Sequence, residues 1–127
     1  MGKFSDRFLR VVDEICSANL DYSKGAYVFV YEALNFAVRA LDLDQNQHLT
    51  GEELVRIGVV PLAFNRWGFL SKRVLEYWNV FCSEDIGRIV RNFVDAGVFS
   101  KDSTDRWEDF SEVNLEKELD RLQKSNF

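Results

Sequence analysis

Apolar residues recur every three to four positions through most of this chain, and a single proline, Pro61, interrupts them. That period aligns side chains along one face of an α-helix, so it restricts the chain to helices that each bury one face. Phe4, Phe8, Val11, Val12 and Ile15 give an amphipathic helix over residues 5–17. After a polar break at 19–25, Ser23 is placed to cap a second helix. Its apolar stripe is Tyr27, Val30, Tyr31, Leu34, Val38 and Leu41. The run 26–31 is rich in strand-forming residues, yet the helical period continues to Leu41 and decides for helix. A third helix begins at Gly51 with Leu54, Ile57 and Val60 inward. Pro61 removes an amide within it, so a kink or break is expected there, with a change of course by Trp67-Gly68. A fourth helix over 70–78 places Val74, Leu75 and Trp78 on one face.

The clearest helical signal is 83–96. Ser83 stands at the cap position, Glu84 and Asp85 lie in the first turn where the helix dipole favours anions, and Gly97 follows the end. Ile86, Ile89, Val90, Phe93 and Val94 form its apolar face. Val98-Phe99 and residues 107–110 read as two short strands around a polar turn at 101–105. Asn114 then caps a last helix carrying Leu115, Leu119 and Leu122. The predicted fold is mainly α, one domain over 1–127, with a small C-terminal β-hairpin. Two helices followed by a hairpin, over 70–110, is the order of a winged helix. Residues 83–96 would take the recognition position and 101–105 the wing.

Charge weighs against the usual partner of that motif. The formal net charge is −5, and generic binding to nucleic acid or to anionic membrane needs a basic footprint. Arg88 and Arg91 fall on the exposed side of 83–96, and Arg66, Lys72 and Arg73 precede it. Residues 102–120, however, hold eight acids and two bases, which makes the wing itself acidic. A winged-helix DNA binder is therefore the third-ranked reading. No apolar run approaches the roughly 20 residues that span a bilayer. The first ten residues contain no uninterrupted apolar segment of a secretory signal, and Asp6 stands where myristoylation expects a hydroxyl. The expected location is cytoplasmic. Cys16 and Cys82 match no metal or redox spacing and read as free, reduced thiols.

One stretch carries ligand chemistry. Asp42, Asp44 and Asn46 occupy positions one, three and five of an EF-hand calcium loop, with Thr50 and Glu53 at nine and twelve and Leu49 at eight. This spacing supplies most of the oxygens that calcium requires. Gln47 sits at the sixth position, where the sharp turn calls for glycine, and no second loop of this kind pairs with it. The same residues satisfy a simpler requirement. Thr50-Gly51-Glu52-Glu53 is a capping box, in which Thr50 accepts from the Glu53 amide and Glu53 accepts from the Thr50 amide. Helix capping ranks first and calcium is the alternative.

Several pieces of the chain resemble a family of short, uncharacterised bacterial proteins. They are Ala26-Tyr27-x-Phe29-Val30-x-Glu32-Ala33-Leu34, His48-Leu49-Thr50-Gly51-Glu52-Glu53-Leu54 and Val74-Leu75-Glu76-x-Trp78. Further matches are Glu84-Asp85-Ile86-Gly87-x-Ile89-Val90, Phe93-Val94-x-Ala96-Gly97-Val98 and Glu108-Asp109-Phe110. The resemblance brings no activity with it. It implies the capping role for Thr50 and Glu53, because members keep the His-hydrophobic-hydroxyl-Gly sequence without the full set of preceding acids. Asn79 departs from the pattern, which has glycine after the tryptophan, and so does Pro61.

Catalytic chemistry is not legible. His48 is the only histidine and has no Cys or His partner at ligand spacing, and Gly51, Gly58 and Gly68 are isolated rather than part of a phosphate loop. No nucleophile elbow occurs. Glu32 is the one acid on a largely apolar helix, and pairing with Arg39 or His48 explains it more simply than acid–base work. Three Trp and eleven Phe are many for one small core, and a surplus left outside would form a partner surface. The expected function is a non-enzymatic protein-interaction or regulatory module whose partner is another protein.

Overall fold

The computed structural model describes residues 5–43, 49–98 and 108–125. Helix α1 (Asp6–Ala18) is capped by Ser5, whose Oγ accepts from the Phe8 amide at 3.1 Å. Helix α2 (Lys24–Ala40) follows a short turn. The next helical run opens as α3 (Gly51–Glu53), passes through a π-helical segment (Leu54–Val59) and continues as α4 (Val60–Trp67). A 3-10 turn (Gly68–Leu70) leads into α5 (Ser71–Tyr77), and α6 (Ser83–Asp95) comes after the next turn. The described chain ends with α7 (Glu108–Ser111) and α8 (Leu115–Ser125). Buried apolar side chains from Val12 to Leu119 form one cluster. No described helix is long and apolar enough to cross a membrane.

The buried face of α2 keeps Tyr27 and Val30 from the expected stripe but is shifted toward its alanines. Ala26, Tyr27, Phe29, Val30, Ala33 and Ala37 are buried, while Tyr31, Leu34 and Val38 are only half-buried. The alanines mark a close crossing with the π-helical segment. A Cβ on Gly58 would overlap the Ala33 carbonyl oxygen and lie 3.2 Å from the Ala37 Cβ. Small residues on both sides let the two backbones touch, and dispersion between backbones replaces side-chain interdigitation.

The break expected at Pro61 does not occur. The amide of Val60 bonds to the Val55 carbonyl, five residues back, so the helix is already widened where the proline enters. A wider turn moves the ring away from the carbonyl that an α-helical proline strikes, and the helix runs on to Trp67. The extra residue also rotates the register. Val55 and Val59 become fully buried alongside Leu54, whereas Ile57 is only half-buried. The change of course comes where expected, at Gly68 with φ 54°.

Three helices end in the same left-handed turn. Leu43, Val80 and Val98 each donate to the carbonyl five residues back, at 3.1, 2.8 and 2.9 Å. The residues before them, Asp42, Asn79 and Gly97, take φ of 53°, 68° and 82°. This is the Schellman termination of α2, α5 and α6, with an apolar residue closing each. Asn79 therefore holds a conformation that glycine adopts most easily.

The C-terminal hairpin and the winged-helix-like unit over 70–110 are corrected. Residues 99–107, including the expected wing at 101–105, lie outside the described residues, but Glu108–Ser111 is a helix. Among the described residues there is no strand, only a single β-bridge position at Leu49. A four-residue apolar–polar run fits one helical turn as well as a strand, so periodicity could not separate them. Tertiary packing decides it. Phe110 is buried with its ring against Gly87 of α6, where a Cβ would come within 2.9 Å of the ring. Ser83 is likewise not the cap of α6 but its first residue. Asn114 caps α8 as expected, accepting from the Lys117 amide at 2.9 Å.

The helix crossing yields a test. Gly58→Ala is expected to lower stability by about 2 kcal/mol, since the added methyl meets backbone rather than a movable side chain. At an exposed helical site the same change would gain about 1 kcal/mol. Urea denaturation of the two proteins measures the difference, and a stabilised variant would refute the close crossing.

Candidate functional site

The expected ligand stretch comes apart into helix-end chemistry. Asp42 is exposed and terminates α2 in the left-handed turn described above. Asp44, Asn46 and His48 lie outside the described residues. Thr50 and Glu53 form the reciprocal capping box: the Thr50 amide donates to Glu53 Oε1 at 3.0 Å and the Glu53 amide to Thr50 Oγ1 at 3.1 Å. Among the described residues, no three His, Cys, Asp or Glu side chains converge on a metal-sized space.

The surroundings of this stretch have a regularity that the loop sequence alone does not reveal. Helices α2 and α6 pack together and end alike, in Schellman turns closed by Leu43 and Val98. The next described helix after each is short, and these short helices, α3 and α7, also pack together. Two two-helix units, α2–α3 and α6–α7, thus lie side by side. Sequence reasoning missed the second unit because residues 107–110 were assigned to a strand.

A second polar constellation joins residues far apart in the chain. Asp85 is buried at the start of α6. Its Oδ2 accepts from the amides of Phe81 at 2.8 Å and Cys82 at 3.2 Å, which satisfies donors that a helix start leaves unpaired. Its Oδ1 accepts from the Tyr22 hydroxyl at 2.5 Å and from Arg88 Nη1 at 2.6 Å. Burial alone would raise the Asp85 pKa, but the hydrogen bonds from Tyr22, Phe81 and Cys82 outweigh it and hold the carboxyl below its ordinary value. Burial and the bond to Asp85 push the Tyr22 phenol up. With both carboxylate oxygens engaged, this group ties the α1–α2 turn to α6 and is not free for acid–base work. The Cys82 thiol beside it is raised by burial and then by the Asp85 charge, against any lowering from the helix start.

Glu32 pairs with Arg66 rather than with Arg39, and its other expected partner, His48, lies outside the described residues. Arg66 of α4 donates from Nη1 and Nη2 to the two Glu32 oxygens, each at 2.9 Å, and its guanidinium carbon lies 5.9 Å from the centre of the Phe29 ring. That ring stands beside Trp67 and Trp78, with centroids 5.0 and 5.9 Å away.

The outer face of the α5 region is apolar. Ser71 and Leu75 turn inward, leaving Leu70, Arg73 and Tyr77 on the outward side, at spacings that align them. Leu70 is 60% exposed, Tyr77 84%, and Phe69, which touches Phe64, 57%. The Asn79 side-chain amide donates to the Asp21 carbonyl at 3.0 Å, bringing the turn that carries exposed Leu20 against the turn after Tyr77. Lys72 pairs with Glu116 at 2.9 Å, whereas Arg73 has no ion pair among the described residues. Of the basic residues first grouped for nucleic acid, Arg66, Lys72 and Arg88 are thus engaged with carboxylates.

Compared with protein-family models, with curated proteins and with solved structures, the chain matches none.

The Asp85 geometry has a pH consequence. A folded-state pKa below the ordinary value of 3.8 gives stability that is fully present above that value and is lost as pH falls through the lower, folded one. Asp85→Asn should cost about 2 kcal/mol at neutral pH and remove that part of the acid sensitivity. Urea denaturation of both proteins from pH 7 down to about 3 reads this out, and parallel profiles would contradict it.

Proposed function

We propose that this protein is an interaction module that docks a segment of another protein on the outward face of α5. The observation that carries the reading is the combination of Leu70, Tyr77 and Phe69 on one exposed side with Arg73, which has no ion pair among the described residues. Aromatic residues and arginine are the side chains that dominate binding energy at protein interfaces. An isolated cation among apolar groups selects a partner that brings a carboxylate together with apolar side chains, because a neutral apolar segment would bury Arg73 unpaired. The matching partner is an acidic, amphipathic segment. The α5 helix is short and fixed on both sides by glycine- and asparagine-based turns, so its surface is pre-organised and little ordering is lost on binding.

The test is photocrosslinking in the native host from a benzoylphenylalanine placed at position 77, with position 121 on α8 as control. A discrete adduct is expected from position 77 only, and Arg73→Glu should abolish it without altering the melting temperature. Equal labelling from both positions, or labelling indifferent to Arg73→Glu, rules the docking face out.

Calcium binding at Asp42, Asp44, Asn46, Thr50 and Glu53 is a second reading, favoured by one observation. Helices α2 and α3, which flank this stretch, pack against α6 and α7, the side-by-side arrangement in which calcium-binding helix pairs work, although residues 99–107 lack the ligand spacing. Glu53 Oε1 accepts from the Thr50 amide, while Oε2 has no hydrogen-bond partner among the described residues. The two readings separate in a chelator. Under the capping reading, Thr50→Ala costs about 1 kcal/mol with no metal present. Under the calcium reading, millimolar Ca²⁺ raises the melting temperature and Glu53→Gln cancels the rise. The first outcome without the second is expected.

A further inference from the structure

Between α2 and α4 lies a cleft of about 410 Å³ that the docking face does not include. Glu32, Asn35, Phe36 and Arg39 line it from α2, and Leu62 and Arg66 from α4. These α2 positions share one side of the helix, so their side chains converge on the same space. The volume lies near the lower end of the range for ligand pockets, roughly 300–1,000 Å³, which fits a small molecule rather than a folded chain.

The charges in the cleft are unequal. The Glu32–Arg66 pair is bidentate, with both bonds at 2.9 Å, and is neutral as a unit. Arg66 is held further by the Phe29 ring beneath it, so the pair forms a fixed wall. Arg39, one turn beyond Asn35, has no ion pair or side-chain hydrogen bond among the described residues. Its place in the last turn of α2 suits the helix dipole, which explains a cation there but leaves its donors unused. Among the described residues, the cleft therefore offers one uncommitted positive charge, an amide that both donates and accepts, and an apolar floor of Phe36 and Leu62. A dianion such as a phosphate monoester would find only one free cation, and a cation would be repelled by it.

We infer that this cleft binds a small monocarboxylate with an apolar body. The carboxylate sits on Arg39, Asn35 orients it, and the body rests on Phe36 and Leu62 against the Glu32–Arg66 wall. Arginine presents two parallel donors to a carboxylate, so a lysine at the same place would keep the charge and lose the fork. This site is independent of the α5 surface, and either can fail without the other.

The test uses benzoate as probe and benzamide as its uncharged counterpart, followed by backbone amide NMR shifts. Benzoate is expected to give saturable shifts centred on Asn35, Arg39, Leu62 and Arg66, with a Kd of about 1 mM or tighter. Benzamide should give none. Arg39→Gln, an exposed change that leaves the core intact, should weaken benzoate about tenfold or more, with Arg39→Lys between the two. Absence of saturable shifts in the parent protein, equal binding of benzamide, or undiminished binding in Arg39→Gln would each overturn the assignment.

Discussion

The contact between the Gly58 backbone and Ala33–Ala37 sets the distance between α2 and the helical run that follows it, and most of the molecule is built outward from that distance. A backbone-to-backbone approach leaves no room for adjustment, because no side chain is present to change rotamer. The π-helical turn at Leu54–Val59 belongs to the same arrangement. It rotates Val55 and Val59 into the core beside Leu54, and it widens the helix where Pro61 enters. Proline, glycine and the extra residue per turn would each weaken an isolated helix. Together, and held against α2, they are mutually compatible.

Glycine serves the same purpose twice more. The Trp78 indole lies over Gly25 at the start of α2, within 2.6 Å of where a Cβ would be, and the Phe110 ring lies over Gly87 of α6. Each is a large ring seated on a position with no side chain, so the two elements register on one another without a matching hole in a side-chain surface. The Trp78 seat, with Phe29 and Trp67 around it, fixes the inner side of α5. Because that inner side is satisfied by Leu75 and the indole, Leu70 and Tyr77 have nowhere to go but outward. The exposed apolar face is therefore a consequence of how α5 is anchored. Its arginine, Arg73, is what gives that face a chemical preference.

The buried polar groups follow a different logic. Asp85 makes four hydrogen bonds to nitrogen and oxygen donors, two to amides at the start of its own helix and two to side chains, and Asn92 donates to the buried Tyr27 hydroxyl at 2.9 Å. The bonds with Tyr22 and Tyr27 cross from α6 to the α1–α2 turn and to α2. They specify which part of α6 faces α2, which apolar contacts alone leave degenerate. The Glu32–Arg66 pair does the same between α2 and α4, at the edge of the cleft.

What the sequence determined by itself is what local spacing encodes. The helices at 5–17, 23–41 and 83–96, the Asn114 cap, the Thr50–Glu53 box and the turn at Gly68 all depend on residues within a few positions of one another. The acidic balance was equally legible, since charge is a sum over residues. Tertiary structure alone decided the rest. Which face α2 buries depended on Gly58, a residue 25 positions from Ala33 whose close approach no hydrophobic pattern marks, because glycine and alanine contribute little to one. Whether 108–111 is helix or strand depended on Gly87 offering Phe110 a seat. The partners of Asp85 and Glu32 stand 63 and 34 residues away, as Tyr22 and Arg66, and a carboxylate in a sequence carries no sign of which distant donor will reach it. Periodicity reports how a segment meets its surroundings, and only the packed chain supplies what those surroundings are.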